Sequence, residues 1–408
     1  MLLLIVEWLR AHSWKVPTAF TYFSTRMILS AGTALLLCIF LGPRFIKKLY
    51  ELKIGQSLRG AEECPLLAEL HGKKKDTPTM GGILILFSMS VALLLWMDLT
   101  NIFTWMLFAT TWVLGCVGGV DDYLKLRFKN SKGLKARKKM VCQVGFSSLI
   151  ALYLLYPGFT SALSGKKYFR PPTAKEQIVL HPPGKKPVVA METLTTQQYM
   201  AQIYLPFFKD PVFIWEGWWR VASFLLIVLV ITGTSNAVNL TDGLDGLAAG
   251  CLVMVSVVLA LFAFFSNHID LARYLNILYI EGSGEIAVYL FALAGAGLGF
   301  LWYNGYPAQV FMGDTGSLAL GGIIGVSSVL LRREVLLALV GGIFVAEAMS
   351  VILQVWSYRY RNKKRIFLIA PLHHHFEYKG WPETKVVIRF WIISLLFAII
   401  AVASLKLQ

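Results

Sequence analysis

Ten long apolar stretches constrain the fold of this 408-residue chain more than any other feature. A helix needs roughly 20 residues to cross the ~30 Å hydrocarbon core of a bilayer. The stretches lie at residues 25–43, 79–97, 102–121, 140–156, 217–236, 246–265, 286–303, 316–331, 335–356 and 386–405. The sequence therefore predicts an all-α integral membrane protein with about ten transmembrane helices, forming a single polytopic domain over residues 1–408.

Basic residues are concentrated in three of the connections between these stretches. Segments 44–78, 122–139 and 357–385 contain 8, 8 and 7 of the 39 Lys and Arg residues. The positive-inside rule places such segments in the cytoplasm, so both termini are expected to be periplasmic. The formal net charge is +16 in a chain that is 56% hydrophobic. Such a charge indicates an anionic membrane surface as the partner, and no nucleic acid is expected.

Two segments outside the apolar stretches are expected to lie on the outer side. Residues 1–9 are too short to span a bilayer and carry Glu7, so they predict an interfacial helix. Residues 157–216 form an extended periplasmic loop, and the proline pairs at Pro171 and Pro182 suggest that it contains a loosely structured insertion. The five cysteines lack metal-binding spacing and are interpreted as small core residues.

Carboxylate, amide and imidazole side chains gather at the predicted cytoplasmic ends of the spans. A charged side chain within a membrane costs at least about 2.5 kcal/mol, so each such group requires an explanation. The groups are Asp121 and Asp122, then Asn236, Asn239, Asp242 and Asp245, then Asp314, and finally His373, His374 and His375. The Lys and Arg distribution assigns all four groups to the same face, so we predict one composite site in a cytoplasmic cleft.

Each motif has a structural alternative beside the functional one. Asp121 and Asp122 fit either a solvated helix end or a cation site, whose ligands the preceding glycines would leave accessible. The Asn236–Asp245 series repeats every three residues, which fits a helix cap or a stripe of hard oxygen ligands for a metal or phosphate. Asp314 stands between two glycines, where it can approach a phosphate-bound cation.

The remaining candidates are less specific. Phe311 fits either an aromatic face for a flat base or an ordinary core residue. The run His373–His375 cannot act as a simple zinc cluster, because three consecutive side chains do not converge on one ion; solvated histidines or a pyrophosphate and acid–base role remain open. Lys74 and Thr79 fit a phosphate contact, although a triple lysine is also an ordinary positive-inside signal.

Five motifs taken together resemble the phospho-MurNAc-pentapeptide translocase (MraY) family, within the polyprenyl-phosphate N-acetylhexosamine-1-phosphate transferase superfamily. They are TPTMGG from Thr77, VDDYLK from Val120, NAVNLTDGLDG from Asn236, GFLWYNGYPAQVFMGDTGS from Gly299 and APLHHHFEYKGWPE from Ala370. The resemblance covers nearly the whole chain, and the histidine run is closest to the MurNAc-specific branch. One departure is an insertion of about 40 residues near 161–200.

The resemblance implies a magnesium-dependent transfer of phospho-MurNAc-pentapeptide from UDP-MurNAc-pentapeptide to undecaprenyl phosphate, with release of UMP and formation of lipid I. It implies Asp314 as the Mg²⁺ ligand, Asp121 as the base, and Asp122, Asn239 and Asp242 as further polar groups of the centre. It implies that the uridine is bound by Asp245, Asn304, Phe311 and Gln354. It implies that Lys74, Thr79 and Lys125 lie near phosphate groups. It also implies that the substrate side of the cleft is formed by His373, His374 and His375.

The implied enzyme would be a multi-pass protein of the bacterial cytoplasmic (inner) membrane with its active site facing the cytoplasm. A homodimer is compatible with the small-residue face of Gly295 and Gly299. A related transferase acting on UDP-GlcNAc is one alternative, and a secondary transporter with intramembrane carboxylates is another. The sequence leaves open whether transfer occurs in one step or through a phospho-enzyme.

Overall fold

The computed structural model describes residues 2–52, 77–128, 133–163, 170–180 and 188–407, and most of them are helical. In chain order the helices are α1 (Leu2–Ala11), α2 (Phe23–Glu51), α3 (Gly82–Trp96), α4 (Ile102–Arg127), α5 (Ala136–Leu155), α6 (Pro157–Leu163), α7 (Thr196–Met200), α8 (Arg220–Thr241), α9 (Leu247–Ser266), α10 (Ile269–Tyr274), α11 (Gly284–Asn304), α12 (Gly313–Leu330), α13 (Glu334–Val340), α14 (Gly342–Tyr360), α15 (Leu372–Tyr378) and α16 (Glu383–Ala403).

The apolar helices confirm the predicted membrane class. Within the described residues, eight are long and apolar enough to cross a membrane: α2, α4, α5, α8, α9, α11, α12 and α16. The apolar helix α3 is shorter, with 15 residues. The predicted span 335–356 is not one straight helix, because α13 and α14 meet at an angle of 86°. Gly341 and Gly342 lie at this break, where the backbone of Gly341 leaves the helical conformation.

Helix α12 lies at the centre of the helical core. It packs against α4 and α8 and also contacts α3 and α9. Every residue of α12 from Thr315 to Leu330 is buried. On one flank, α11 packs along α2, where Gly295 and Gly299 approach its backbone closely. The small-residue face is therefore used within the chain. The first turn of α12, which carries Asp314, is thus part of a helix that packs against α4, α8, α3 and α9.

The segment after α6 contains ordered β-structure, which corrects the expectation of a loosely structured insertion. Strands β1 (Ala174–Leu180) and β2 (Val188–Leu194) pair antiparallel, and β1 also pairs with β5 (Tyr279–Ile280). A second small sheet joins β3 (Gln202–Ile203) to β4 (Phe213–Ile214). The fully buried Arg332 side chain donates to the backbone carbonyl of Gln202 and so ties this segment to the end of α12. Residues 181–187, with the second proline pair, lie outside the described residues.

A buried ion pair joins α2 to the first turn of α11. The Arg26 guanidinium lies 2.7 Å from a Glu285 carboxylate oxygen, and the two side chains are 3% and 2% exposed. Arg26 also donates to the carbonyl of Trp96, and the backbone N–H of Asp98 donates to Glu285. Removing one partner of such a pair leaves a charge buried without compensation.

We expect Arg26→Met to lower the free energy of unfolding by about 3 kcal/mol, because Glu285 would lose its buried counter-charge. Thermal unfolding of the purified protein in detergent measures the change. The double variant with Glu285→Gln should recover part of the loss, since no uncompensated charge then remains. Equal stability of Arg26→Met and the unsubstituted protein would contradict this role.

Candidate active site

Asp122 caps the start of α12 from the neighbouring helix α4. Its Oδ2 accepts hydrogen bonds from the backbone N–H of Thr315 at 2.9 Å and from the Thr315 hydroxyl at 2.6 Å. Its Oδ1 accepts from the backbone N–H of Asp314 at 3.1 Å. Backbone N–H groups in the first turn of a helix lack partners within the helix, and a carboxylate satisfies them. Asp122 therefore fixes the position of the turn that carries Asp314.

Close helix packing brings this carboxylate to α12. A methyl group added at Gly118, one turn before Asp122, would lie 2.1 Å from the backbone carbonyl oxygen of Asp314. At Gly82 in α3, an added methyl group would lie 2.2 Å from the backbone nitrogen of Gly316. Any larger residue at position 118 or 82 would clash with the α12 backbone. Glycine at these positions therefore allows α4 and α3 to pack directly against the first turn of α12.

Two lysines bridge the carboxylates of Asp121 and Asp314. The Lys125 ammonium lies 2.6 Å from Asp121 Oδ2 and 3.0 Å from Asp314 Oδ2. The Lys139 ammonium, from α5, lies 2.8 Å and 2.6 Å from the same two oxygens. Asp121 is fully buried, whereas Asp314 and both lysines remain partly exposed. Three separate helices thus contribute charges to one cluster.

The cluster has the ligands that a hard divalent cation prefers. One carboxylate oxygen from each of Asp121, Asp122 and Asp314 lies within 4.8 Å of the other two. Mg²⁺ in proteins is held by one or two carboxylates together with water and substrate phosphates. Three carboxylates face two ammonium groups, so an excess of negative charge remains for a cation. Each of Asp121, Asp122 and Asp314 offers one such oxygen, so the three carboxylates together fit the ion.

The motif that follows α8 lies beside this cluster. The Asn239 amide donates to Asp314 Oδ1 at 2.8 Å and to the Ser317 hydroxyl at 2.9 Å. Asp242 follows the last residue of α8. Its burial, together with the negative charges of Asp314 and Asp122, raises its pKa to about 7, and the nearby backbone N–H of Gly313 opposes this rise. Asn239 and Asp242 thus lie next to Asp314 at the start of α12.

Asn236 does not reach that centre. It points into a polar network between helices, where its amide donates to Gln143 of α5 at 2.8 Å and to the carbonyl of Thr232. Gln143 in turn donates to Ser235, whose hydroxyl donates to the carbonyl of Leu318. The three-residue spacing placed Asn236 on the same stripe as Asn239, but it lies one turn deeper along α8 and joins helices.

Asp245 and Asn304 brace the loop that precedes α12. Asp245 accepts from the backbone N–H of Ala308 at 3.0 Å, and the backbone N–H of Gly246 donates to Asn304 at 3.0 Å. The Asn304 amide donates to the carbonyl of Val310. These bonds set the course of the segment that carries Phe311, which is partly buried.

Residues 78–82 pair with this loop through the backbone. The N–H of Phe311 donates to the Pro78 carbonyl, the N–H of Gly81 donates to the Phe311 carbonyl, and the N–H of Gly82 donates to the Met312 carbonyl, each at 2.8 Å. Thr79 lies here, with its hydroxyl close to Gly313. Lys74 lies outside the described residues.

The three histidines occupy different environments on the short helix α15. His373 is fully buried, and its Nδ1 lies 3.1 Å from Glu347. His374 Nδ1 lies 2.7 Å from Glu377, and His375 Nδ1 accepts from the backbone N–H of Leu368. Partial burial and the charge of Lys379 lower the pKa of His375. Consecutive residues on a helix point in different directions, so one substrate group cannot meet all three.

Gln354 holds the basic connection that leads to this helix. Its side-chain oxygen accepts from the backbone N–H groups of Ile366 and Phe367, and its amide donates to the Phe367 carbonyl. All three bonds are internal, so in this structure Gln354 shapes the connection.

Comparison with known proteins identifies this arrangement. Residues 104–332 match the glycosyl transferase family 4 model, and residues 74–86 match signature 1 of phospho-N-acetylmuramoyl-pentapeptide-transferase. The phospho-N-acetylmuramoyl-pentapeptide-transferase of Protochlamydia amoebophila is 64% identical over 411 residues, covering 100% of both chains. Those of Desulfotalea psychrophila and Methylacidiphilum infernorum are 45% and 43% identical, over 95% and 96% of each chain. This chain belongs to the phospho-N-acetylmuramoyl-pentapeptide-transferase family.

Family membership confirms the resemblance read from the motifs and favours a transferase over the transporter alternative. The matched signature includes Lys74 and Thr79, and the larger matched region includes every carboxylate of the cluster. Of the predicted residues, Asp121, Asp122, Lys125, Asn239, Asp242 and Asp314 come together around the start of α12. Asn236, Asn304, Gln354 and His373 instead make internal contacts, and Asp245 accepts a hydrogen bond from the loop before α12.

Sequence reasoning did not single out three residues that the structure brings into this region. Lys139 is one of two adjacent lysines in a basic connection, and only its position on α5 shows that it reaches Asp314. Thr315 follows Asp314 in the sequence, and its hydroxyl and backbone N–H donate to Asp122. Glu347 is a lone acidic residue within an apolar span, and that placement alone was a usable signal.

Proposed function

We propose that this chain transfers phospho-N-acetylmuramoyl-pentapeptide from UDP-MurNAc-pentapeptide to undecaprenyl phosphate, producing lipid I and UMP. The observation that carries the proposal is the cluster of Lys125, Lys139, Asp121 and Asp314 at the start of α12, in a chain of this transferase family. The reaction exchanges one phosphoanhydride for another, so catalysis consists mainly of positioning and charge neutralisation.

The cluster supplies both requirements. The ammonium groups of Lys125 and Lys139 are placed to bind phosphate oxygens of the two substrates. We propose that Asp121 accepts the proton of the lipid phosphate, whose oxygen then bonds to the β-phosphorus as the bond to UMP breaks. Mg²⁺ held by Asp314, with Asp121 beside it, would neutralise charge on the diphosphate. Asp122 acts through α12, by holding Asp314 in place.

The surrounding residues complete the proposed substrate cleft. Phe311 offers an aromatic face for uracil, on a loop whose course Asp245 and Asn304 fix. Thr79 and Lys74 lie in the matched signature, residues 78–82 of which pair with that loop, and both are proposed to contact phosphate. His374 and His375 are proposed to contact the substrate on the other side of the cleft.

We further propose that this single polytopic domain lies in the bacterial inner membrane with the cleft facing the cytoplasm. The basic connections 44–78, 122–139 and 357–385 support that orientation. The lipid substrate would enter from the bilayer, and a homodimer remains the proposed assembly. The interfacial position of α1 and the periplasmic position of residues 157–216 are part of the same proposal.

The proposal is tested by UMP release from purified protein supplied with MgCl₂ and undecaprenyl phosphate. UDP-MurNAc-pentapeptide should support turnover, whereas UDP-GlcNAc should support at most about a hundredth of that rate, because the site would lose the contacts made with the peptide-bearing sugar. Release of UMP only from UDP-GlcNAc would instead establish the related GlcNAc-1-phosphate transferase. No release from either donor would refute the enzyme assignment.

Removal of divalent cations provides a second test. With EDTA we expect UMP release to fall at least about 100-fold, since the carboxylates of Asp121 and Asp314 would no longer share a cation with the diphosphate. Added MgCl₂ should restore the rate, which distinguishes cation loss from unfolding. Unchanged turnover in EDTA would exclude a metal requirement.

A further inference from the structure

Glu347 is an acidic residue outside the cluster at α12 whose two carboxylate oxygens both accept hydrogen bonds. It lies in α14, shortly after the 86° bend, and is fully buried. One carboxylate oxygen accepts from the backbone N–H of Leu372 at 2.8 Å, and the other accepts from the backbone N–H of His373 at 3.1 Å. Burying an ionised carboxylate costs free energy unless hydrogen bonds compensate for the lost water. A carboxylate buried in this way within an apolar helix therefore suggests a specific role.

Glu347 also determines how His373 is oriented. Nδ1 of His373 lies 3.1 Å from the Glu347 carboxylate, which can only accept when ionised. An ionised Glu347 therefore accepts a hydrogen bond that Nδ1 donates. Nε2 is buried and has no hydrogen-bond partner among the described residues. The whole His373 ring is thus enclosed by protein.

The far edge of the His373 ring rests on the loop that carries Asp242. A methyl group added at Gly243 would lie 2.2 Å from Nε2 and 2.8 Å from the neighbouring ring carbon Cε1. Contact this close means that the ring fills the space beside Gly243. Asp242, the residue before Gly243, lies beside Asp314 and Gly313.

We propose that Glu347 is a positioning residue, which holds His373 as a buried wedge against Gly243 and thereby fixes Asp242 beside the first turn of α12. The role rests on the proposed function, since it supports the same reaction. It separates His373 from its two neighbours: His373 acts through Gly243, whereas His374 and His375 remain the partly exposed members of the run. The His373 ring thus connects the bent helix α14 to the loop that carries Asp242.

Two substitutions of His373 separate its bond to Glu347 from its contact with Gly243. Asparagine places its amide nitrogen near the position of Nδ1 and keeps a donor for Glu347, but it lacks the ring edge that fills the space beside Gly243; glutamine reaches the position of Nε2 but lacks the donor for Glu347. Because the proposal requires both contacts, we expect each variant to lose at least about 20-fold in kcat, with KM for UDP-MurNAc-pentapeptide little changed. A loss expressed mainly in KM, or a kcat within about fivefold of the unsubstituted protein for His373→Asn, would overturn the proposal.

A double substitution tests the wedge itself. Gly243→Ala should lower kcat about 100-fold, because the added methyl group displaces the Asp242 loop from the ring. Combining it with His373→Ala removes the clash, so the double variant should be at least about tenfold more active than Gly243→Ala. A double variant no more active than Gly243→Ala would overturn the proposal. Size-exclusion profiles in detergent confirm that each variant is folded.

Chemical modification tests the positioning without any turnover. Diethyl pyrocarbonate attacks accessible, unprotonated imidazole, and peptide mapping by mass spectrometry locates the modified residues. In the unsubstituted protein the exposed His268 should react and His373 should not. In Glu347→Ala, His373 should become reactive while His268 is unchanged. Reaction of His373 in the unsubstituted protein would overturn the proposal, whereas absence of UMP release there would refute only the proposed function.

Discussion

Asp314→Asn is expected to reduce UMP release at least about a thousandfold while the protein remains folded in detergent. The substitution keeps the size of the side chain but removes the charge that both ammonium groups and the proposed Mg²⁺ share. Asn239, which donates to Asp314 Oδ1, retains an acceptor when the new amide is oriented accordingly. The loss should therefore be electrostatic rather than structural. Steady-state UMP release with saturating substrates measures it.

Asp270→Asn is the matched control, because Asp270 is exposed and lies on the short helix α10, away from the cluster. It should leave the rate unchanged. Mn²⁺ binding followed by electron paramagnetic resonance provides a readout independent of turnover, and Asp314→Asn should weaken it. Near-normal UMP release by Asp314→Asn would exclude Asp314 from the reacting centre.

Gly118→Ala is expected to lower UMP release at least about 100-fold, although residue 118 contacts no substrate in the proposed mechanism. Its methyl group would lie 2.1 Å from the backbone carbonyl oxygen of Asp314. Either α4 or the first turn of α12 must move, and the hydrogen bonds from α12 to Asp122 then lengthen. The turn that carries Asp314 would shift relative to Lys125 and Lys139.

The adjacent glycine offers a control on the same helix turn. A methyl group at Gly119 would meet only the Thr315 side chain, at 3.7 Å, which is ordinary van der Waals contact. Gly119→Ala should therefore retain a rate close to that of the unsubstituted protein. Equal effects of the two substitutions would show that helix propensity, rather than the approach to Asp314, determines the outcome.

The sequence was sufficient to predict the membrane class, most of the long apolar helices and most of the residues in the cluster. Apolar length and the distribution of Lys and Arg are local properties, so they indicated where helices cross the membrane and which ends share a face. Asp121, Asn239, Asp242 and Asp314 were predicted together because each lies at such an end. The bend in the 335–356 span was missed because hydropathy averages over Gly341 and does not report direction.

Other features depend on contacts between distant residues and could not be read from spacing. Asp122 looked equivalent to Asp121, yet one helical step turns it toward the α12 backbone while Asp121 meets the lysines. The strands β1 and β2 were hidden by the proline pairs and lysines around them. His373, His374 and His375 are adjacent in sequence, but only their partners show that the first is buried by Glu347.

The lysine–aspartate cluster joins residues that are far apart in the sequence, and this separation has a consequence for biosynthesis. Lys125 and Asp314 are 189 positions apart, and α12 is inserted after most of the other helices have been synthesised. A ribosome-bound chain that ends before Gly313 contains both lysines and the Asp121–Asp122 pair, but it has no α12 for Asp122 to cap. Prematurely terminated products therefore lack an assembled centre, and catalytic competence arises in a single late event of membrane insertion.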